Sequence, residues 1–172
     1  RQSLPTVSNE YLHLRLDSYN PTSLPNSPSF YGSEAKTKQK FSTTLGGISF
    51  EIKAHLLTST PGVVGGMFAY SSAGATHDEI DFEAVSKKIN SIQTNVYDDE
   101  PLGAGHSAFH ALSTPLTENH LYRIEWLPDR VRWFVDGKLV RESTQYVPQG
   151  AMALHLNIWA PAQDWIEAYS NA

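Results

Sequence analysis

The sequence predicts an all-β sandwich or barrel. Short stretches of period-two alternation recur about every 10 to 15 residues, with turn signals between them. No window longer than about 10 residues, the usual length of a globular helix, holds a 3.6-residue apolar period. No internal repeat, linker or low-complexity tract divides the chain, so residues 1–172 read as one domain.

The elements follow in order. Tyr11-Leu12-His13-Leu14-Arg15-Leu16 alternates as a strand. Residues 17–31 hold Pro21, Pro25 and Pro28 among serines and asparagines and read as a loop. Its Tyr19, Phe30 and Tyr31 either line a cleft or tuck against the core. Residues 34–41 form a polar alternating strand, Gly46-Gly47 turns the chain, and Ile48-Ser49-Phe50-Glu51-Ile52-Lys53-Ala54 is amphipathic. After the Pro61-Gly62 turn, residues 63–70 form an apolar strand. Its Gly65-Gly66 pair marks a bulge or a close approach by a ligand or backbone. Residues 71–76 read as a loop leading into His77-Asp78-Glu79-Ile80-Asp81-Phe82-Glu83.

Beyond that stretch, residues 91–97 alternate with Gln93, Asn95 and Tyr97 on one face, and residues 98–107 read as a loop. Residues 109–112, 122–126 and 130–135 are strands. Asp136-Gly137 is a hairpin turn, and residues 138–142 return from it. Residues 152–159 make the last long strand, stopped by Ala160-Pro161. Residues 164–172 offer no closing strand, which a sandwich uses to hide its edges, so the chain reads as trimmed there.

Composition narrows the function classes. Forty per cent hydrophobic and 18 per cent charged residues suit a soluble globular domain with a substantial core. A net charge of −5 argues against a nucleic-acid partner. There is no cysteine for disulfide or thiol chemistry, and no apolar run approaches the ~18 residues of a membrane span. No leader segment is visible, and Arg1-Gln2-Ser3 reads as the start of a mature or trimmed chain. The one Asn-x-Thr match, Asn20-Pro21-Thr22, is disqualified as a glycosylation site by its proline.

The acidic stretch carries the chemistry. Period-two alternation sets Glu79, Asp81 and Glu83 on one strand face and Ile80 and Phe82 on the other. Like charges this close raise one another's pKa values, which is useful where one carboxyl must be protonated and its neighbour ionised. Paired carboxyls are the apparatus of retaining glycoside hydrolysis, with the two groups ~5–5.5 Å apart. Four residues span roughly 13 Å of extended strand, so the glutamates must lean towards each other. The competing reading is a solvated acidic surface strand, common for charge runs.

The motif resembles the signature of glycoside hydrolase family 16, Glu-[aliphatic]-Asp-x-Glu. Gln93-Thr94-Asn95-Val96-Tyr97 resembles the strand that follows it. Trp126-Leu127-Pro128 with residues 131–137 resembles the family's W-x-P…V-D-G hairpin, and Leu156-Asn157-Ile158-Trp159 its late N-x-W strand. Glu34-Ala35-Lys36 and residues 50–54 are similar to its early strands, so the likeness runs from about Gly32 to Trp165 in order.

The resemblance implies a concanavalin A-like antiparallel β-jelly roll whose concave face is a glycan cleft. It implies Glu79 as nucleophile, Asp81 as its helper and Glu83 as general acid/base. It implies sugar contacts at Glu34, Phe68, Tyr70, His77, Gln93, Asn95, Tyr97, Asn157 and Trp159. The bland alternatives are core aromatics for Tyr97 and Trp159 and an exposed face for Gln93 and Asn95. Trp126 and Trp133 are assigned to the core, and His110 and His155 to structural roles. No His/Asp/Glu cluster has metal-ligand spacing, so no cofactor is expected. The resemblance allows a structural calcium whose ligands the sequence does not locate.

Within the family, a single residue between Asp81 and Glu83 resembles licheninases and plant xyloglucan endotransglycosylases rather than the bulged laminarinase type. His77 stands where licheninases commonly carry Trp, and Lys36 where they carry Arg. His77 to Glu83 and Gln93 to Tyr97 resemble the xyloglucan group, but the cysteines of that group's C-terminal extension and the sequon after its motif are missing. The expected function is a retaining endo-β-glucanase acting on β-1,3-1,4 or related glucans. The alternatives are a xyloglucan endotransglycosylase/hydrolase and a non-catalytic glycan-binding jelly roll. A secreted monomer with a polysaccharide substrate, and neither nucleic-acid nor membrane partner, is expected.

Overall fold

The computed structural model describes residues 4–18 and 30–161. Among them, fourteen strands are arranged in two stacked antiparallel sheets and two small hairpins. The hairpins are β1 (Thr6–Ser8) with β2 (Tyr11–His13), and β3 (Asp17–Ser18) with β4 (Phe30–Tyr31). The larger sheet holds β5 (Ser33–Phe41), β7 (Val64–Ala73), β8 (Thr76–Val85), β9 (Ser91–Pro101), β10 (Ala108–Ala111) and β14 (Met152–Trp159). Its order is β10-β9-β8-β7-β14-β5. The smaller sheet holds β6 (Ile48–Ala54), β11 (His120–Trp126), β12 (Val131–Val135) and β13 (Lys138–Ser143), in the order β13-β12-β11-β6. Among the described residues no helix is long and apolar enough to cross a membrane.

Alternation builds the core. On β11, Tyr122, Ile124 and Trp126 point inward; on β12, Val131, Trp133 and Val135 do. They meet Ile80, Phe82, Ile92 and Val96 of the larger sheet, with the Phe82 and Tyr122 rings 5.3 Å apart. Burying an aliphatic or Phe side chain contributes roughly 1.5–3 kcal/mol. Both core tryptophans need a partner for the indole N–H. Trp126 donates to the Pro148 carbonyl and Trp133 to that of Asp81, each at 2.9 Å. Towards the β5 and β6 edges the sheets part around an apolar cavity of about 340 Å³, lined by Phe50, Ile52, Met67, Leu154 and Leu156.

Four expected boundaries move. The first strand ends at His13 and pairs only with β1, leaving Tyr11 and Leu12 exposed. The segment expected as a loop contributes β3 and β4, a two-residue pair; Tyr19 lies outside the described residues. Residues 71–76 are not a loop. β7 runs on to Ala73 and turns through Gly74-Ala75 into Thr76, with Gly74 at φ +68°, where glycine costs least. β9 likewise continues to Pro101. It takes up an extra residue against β8 between Tyr97 and Glu100, with Asp99 at φ +53° donating its N–H to Asp78 Oδ1 at 2.8 Å.

The hairpin at Asp136-Gly137 forms as expected, with both residues at positive φ (51° and 79°). Asp136 also reaches back. It accepts the Leu121 N–H at 2.9 Å and faces Nδ1 of the buried His120 at 2.7 Å.

Candidate active site

The outer face of the larger sheet collects the expected residues. Strand register does this without any long loop. Glu79 lies opposite Tyr70 of β7 and Tyr97 of β9; Asp81 lies opposite Phe68 and Asn95; Glu83 lies opposite Gly66 and Gln93. Beyond β7, Asn157 pairs with Gly66, His155 with Phe68, and Glu34 of β5 with Asn157. Directly opposed residues share a face. Neither side of β8 has an irregularity from Glu79 to Glu83, so the acidic strand is unbulged across the motif, and its three carboxyls stay on one side.

Gly66 makes room for this face. A Cβ there would sit 2.5 Å from Asn157 Oδ1, so the glycine marks a close approach and not a bulge. Trp159 packs on the buried Val64 and Val85 at the Glu83 end. A cavity of about 280 Å³ on that flank is bounded by Gly32, Glu34, Asn157 and Trp159, with Leu4 and Pro5 against it. Tyr97 is only 8% exposed, wedged under Gly105, whose added Cβ would lie 2.3 Å from the ring. Phe68 stacks on His155, with ring centroids 4.9 Å apart.

Asp81 is buried and Glu79 and Glu83 are half-buried, and removal from water governs their protonation. Burial, then the charge of Glu83, pushes Glu79 from 4.5 up to about 7. Burial pushes Glu83 up to about 7 as well. Asp81, 2% exposed, is raised well above the ordinary aspartate value by burial and then by Glu83 and Glu79, against the smaller pull of Arg141 and the Asn95 N–H. At neutral pH this site therefore holds protons that exposed carboxyls would have released. Arg141 reaches this region from β13. Its guanidinium lies over Trp133, 4.7 Å from the ring centroid, and donates to the Thr94 and His106 carbonyls at 3.2 and 2.7 Å.

Unpartnered polar atoms converge here. Among the described residues, five buried side-chain polar atoms lack a hydrogen-bond partner: His77 Nε2, Asp81 Oδ1, Gln93 Oε1, Asn157 Oδ1 and Arg123 Nε. All but that of Arg123 belong to the cleft face. Buried polar groups are nearly always paired, so such a concentration marks a surface built to bind something polar.

Two residues escaped the sequence reading. His155, assigned there to a structural role, projects onto the cleft face and holds Glu34, its Nδ1 lying 2.5 Å from Glu34 Oε1. Its period-two spacing with Asn157 and Trp159 was the available signal. Arg141 comes from the opposite sheet, 60 positions from Asp81 in the chain, and no local pattern points to it.

Comparison with known proteins speaks to the family. The model for glycosyl hydrolases family 16 matches residues 2–172. A beta-glucanase of Bacillus amyloliquefaciens is 31% identical over 115 residues, 63% of this chain and 47% of that protein. One of Bacillus licheniformis is 30% identical over 115 residues, 63% of this chain and 46% of that protein. A beta-1,3-1,4-glucanase (lichenase) structure derived from a mouse hindgut metagenome superposes with a TM-score of 0.81 at 28% identity. It covers 98% of this chain and 76% of its own. The matched region spans about half the length of these curated beta-glucanases. Two stacked antiparallel sheets of the jelly-roll type, an unbulged Glu79-Ile80-Asp81-Phe82-Glu83 strand and a match along almost the entire sequence lead to one assignment: the chain belongs to glycosyl hydrolases family 16.

Proposed function

We propose that the chain is the catalytic domain of a retaining endo-β-glucanase that cuts mixed-linkage β-1,3-1,4-glucan. The observation that carries this reading is the row of three carboxyls, Asp81 buried and Glu79 and Glu83 half-buried, on a face that also holds four unpartnered polar side-chain atoms. A lectin has no use for three aligned acids held largely out of water.

In the first step Glu79 attacks the anomeric carbon, the glycosidic C–O bond breaks, and Glu83 gives its proton to the leaving oxygen. In the second, Glu83 takes a proton from water, the water oxygen attacks the same carbon, and Glu79 departs as carboxylate. Asp81, whose carboxyl is pushed well above its ordinary value, takes the helper's part beside Glu79. Gln93, Asn157 and Glu34 offer amide and carboxylate groups for sugar hydroxyls, and Phe68, Tyr70 and Trp159 offer ring faces. His155 holds Glu34 in place. Among the described residues no group of three His, Cys, Asp or Glu side chains could hold a metal, and the steps above use none. The polymer substrate of this reading suits an enzyme working outside the cell, and the net charge of −5 argues against nucleic acid as a partner.

A second reading, transfer of the glycosyl unit to a sugar hydroxyl, is favoured by one feature, His77 in place of the licheninase Trp. A substrate panel separates the readings: lichenan, barley glucan, laminarin and xyloglucan, with and without an acceptor oligosaccharide. Cleavage of lichenan and barley glucan is expected. Activity on laminarin alone would sink the proposal, and products longer than the starting chains would favour transfer. Glu79→Gln should end turnover while oligosaccharide binding persists.

A further inference from the structure

His77 is 7% exposed, and its Nε2 lies 3.4 Å from Glu79 Oε2, yet makes no aligned hydrogen bond. Two rings hold the imidazole: Tyr97 with its centroid at 4.2 Å and Tyr70 at 5.6 Å. A residue this enclosed presents little surface to a sugar. What it presents is a nitrogen, aimed at one oxygen of one carboxyl.

Glu79 and Glu83 both sit at about 7, so burial alone does not decide which attacks and which donates a proton. Retaining chemistry requires them to differ. We propose that His77 is a positioning residue for the nucleophile: with its proton on Nε2, it donates a hydrogen bond to Glu79, holds that carboxylate towards the anomeric carbon, and so assigns attack to Glu79 and proton donation to Glu83. A small rotation of the Glu79 side chain aligns the bond. Donation to a carboxylate favours its ionised form. A neutral imidazole suffices, since the histidine needs only a proton on that nitrogen.

The groups around His77 leave it free for this task. On its own strand Asp78 is engaged with the Asp99 N–H. From β7 and β9 it meets Tyr70 and Tyr97. Glu100, its register partner on β9, is turned away onto His106 Nε2 at 3.0 and 3.1 Å. Glu79 is thus the carboxyl within its reach.

The inference rests on Glu79 as nucleophile, and its test reads the bond without turnover. Carbon-13 titration of the Glu79 carboxyl is compared between the parent and His77→Phe, which keeps a ring between the two tyrosines and removes the N–H. The midpoint should rise by about one unit, a tenfold change in proton affinity. Below neutral pH, kcat on lichenan should fall about tenfold with KM little changed, and His77→Gln, which keeps a donor, should recover part of both. An unmoved midpoint overturns the proposal whatever the activity. A moved midpoint in a protein that cuts no glucan supports the bond and defeats the glucanase reading instead. Should His77→Phe not fold, the nitrogen-15 spectrum of the unmodified protein decides: a protonated Nε2 supports the bond, and a neutral ring protonated only on Nδ1 overturns it.

Discussion

Trp133 of β12 donates its indole N–H to the backbone carbonyl of Asp81 across the sandwich, at 2.9 Å. Trp133 is fully buried, and the bond ties the smaller sheet to the middle of the acidic strand. It fixes the backbone at the residue between the two glutamates, so the core helps to set the aim of the carboxyls. Trp133→Phe removes the donor and leaves a small void. A loss of about 1–3 kcal/mol in urea unfolding is expected. The accompanying fall in kcat should exceed any change in KM, because what moves is the aim of the acids.

Stability should depend on pH in an uncommon direction. Folded, Glu79 and Glu83 titrate at about 7 and Asp81 well above its ordinary value; unfolded, all three return to ordinary values. Between about pH 4.5 and 7 the folded chain therefore holds more protons than the unfolded chain, and their contribution to stability falls as pH rises through that window. Well below pH 3.8, the ordinary aspartate value, all three are protonated in both states and give no slope. Thermal melts from pH 4 to 8 check the sign. Asp81→Asn should flatten the slope and raise stability at pH 7 by on the order of 1 kcal/mol, while lowering activity. A steeper slope in that variant would contradict the account.

Glu83→Gln removes the proton donor while keeping the shape. The expected loss in kcat on lichenan is about 10² to 10⁴-fold. An aryl glycoside with a good leaving group needs no protonation, so glycosylation of the enzyme by it should suffer far less. Steady-state and burst kinetics with both substrates measure the difference.

Gly66→Ala tests the cleft floor. The new methyl group would meet Asn157 Oδ1 at 2.5 Å and push the amide off the surface. Loss of one sugar hydrogen bond, about 1 kcal/mol, corresponds to a several-fold rise in KM. Melting temperature should change little if Asn157 simply swings away.

Much of this was legible in the chain. Wherever one face is buried, period-two alternation fixes register, and β6 and β14 have the expected limits, Ile48–Ala54 and Met152–Trp159. The alternation of Glu79, Asp81 and Glu83 likewise placed them on one face. Boundaries failed where turn chemistry was hidden. Gly74-Ala75 makes a two-residue turn inside what looked like a small-residue loop, and Asp99 absorbs an extra residue that let β9 run on. Contacts between sheets left no local trace. Trp133 reads as core from its sequence, and nothing near it says that it bonds Asp81. Within the larger sheet, the pairing of His155 with Glu34 joins positions 121 apart and leaves no local trace either.

The central claim is that Glu79 is the nucleophile of a double displacement. The most direct measurement uses an activated 2-deoxy-2-fluoro-β-glucosyl oligosaccharide, which slows release of a covalent glycosyl–enzyme, followed by proteolysis and mass spectrometry of the labelled peptide. The account predicts one sugar esterified to the Glu79 carboxyl. Label on Glu83 instead, or turnover of lichenan with no covalent species trapped, would contradict it.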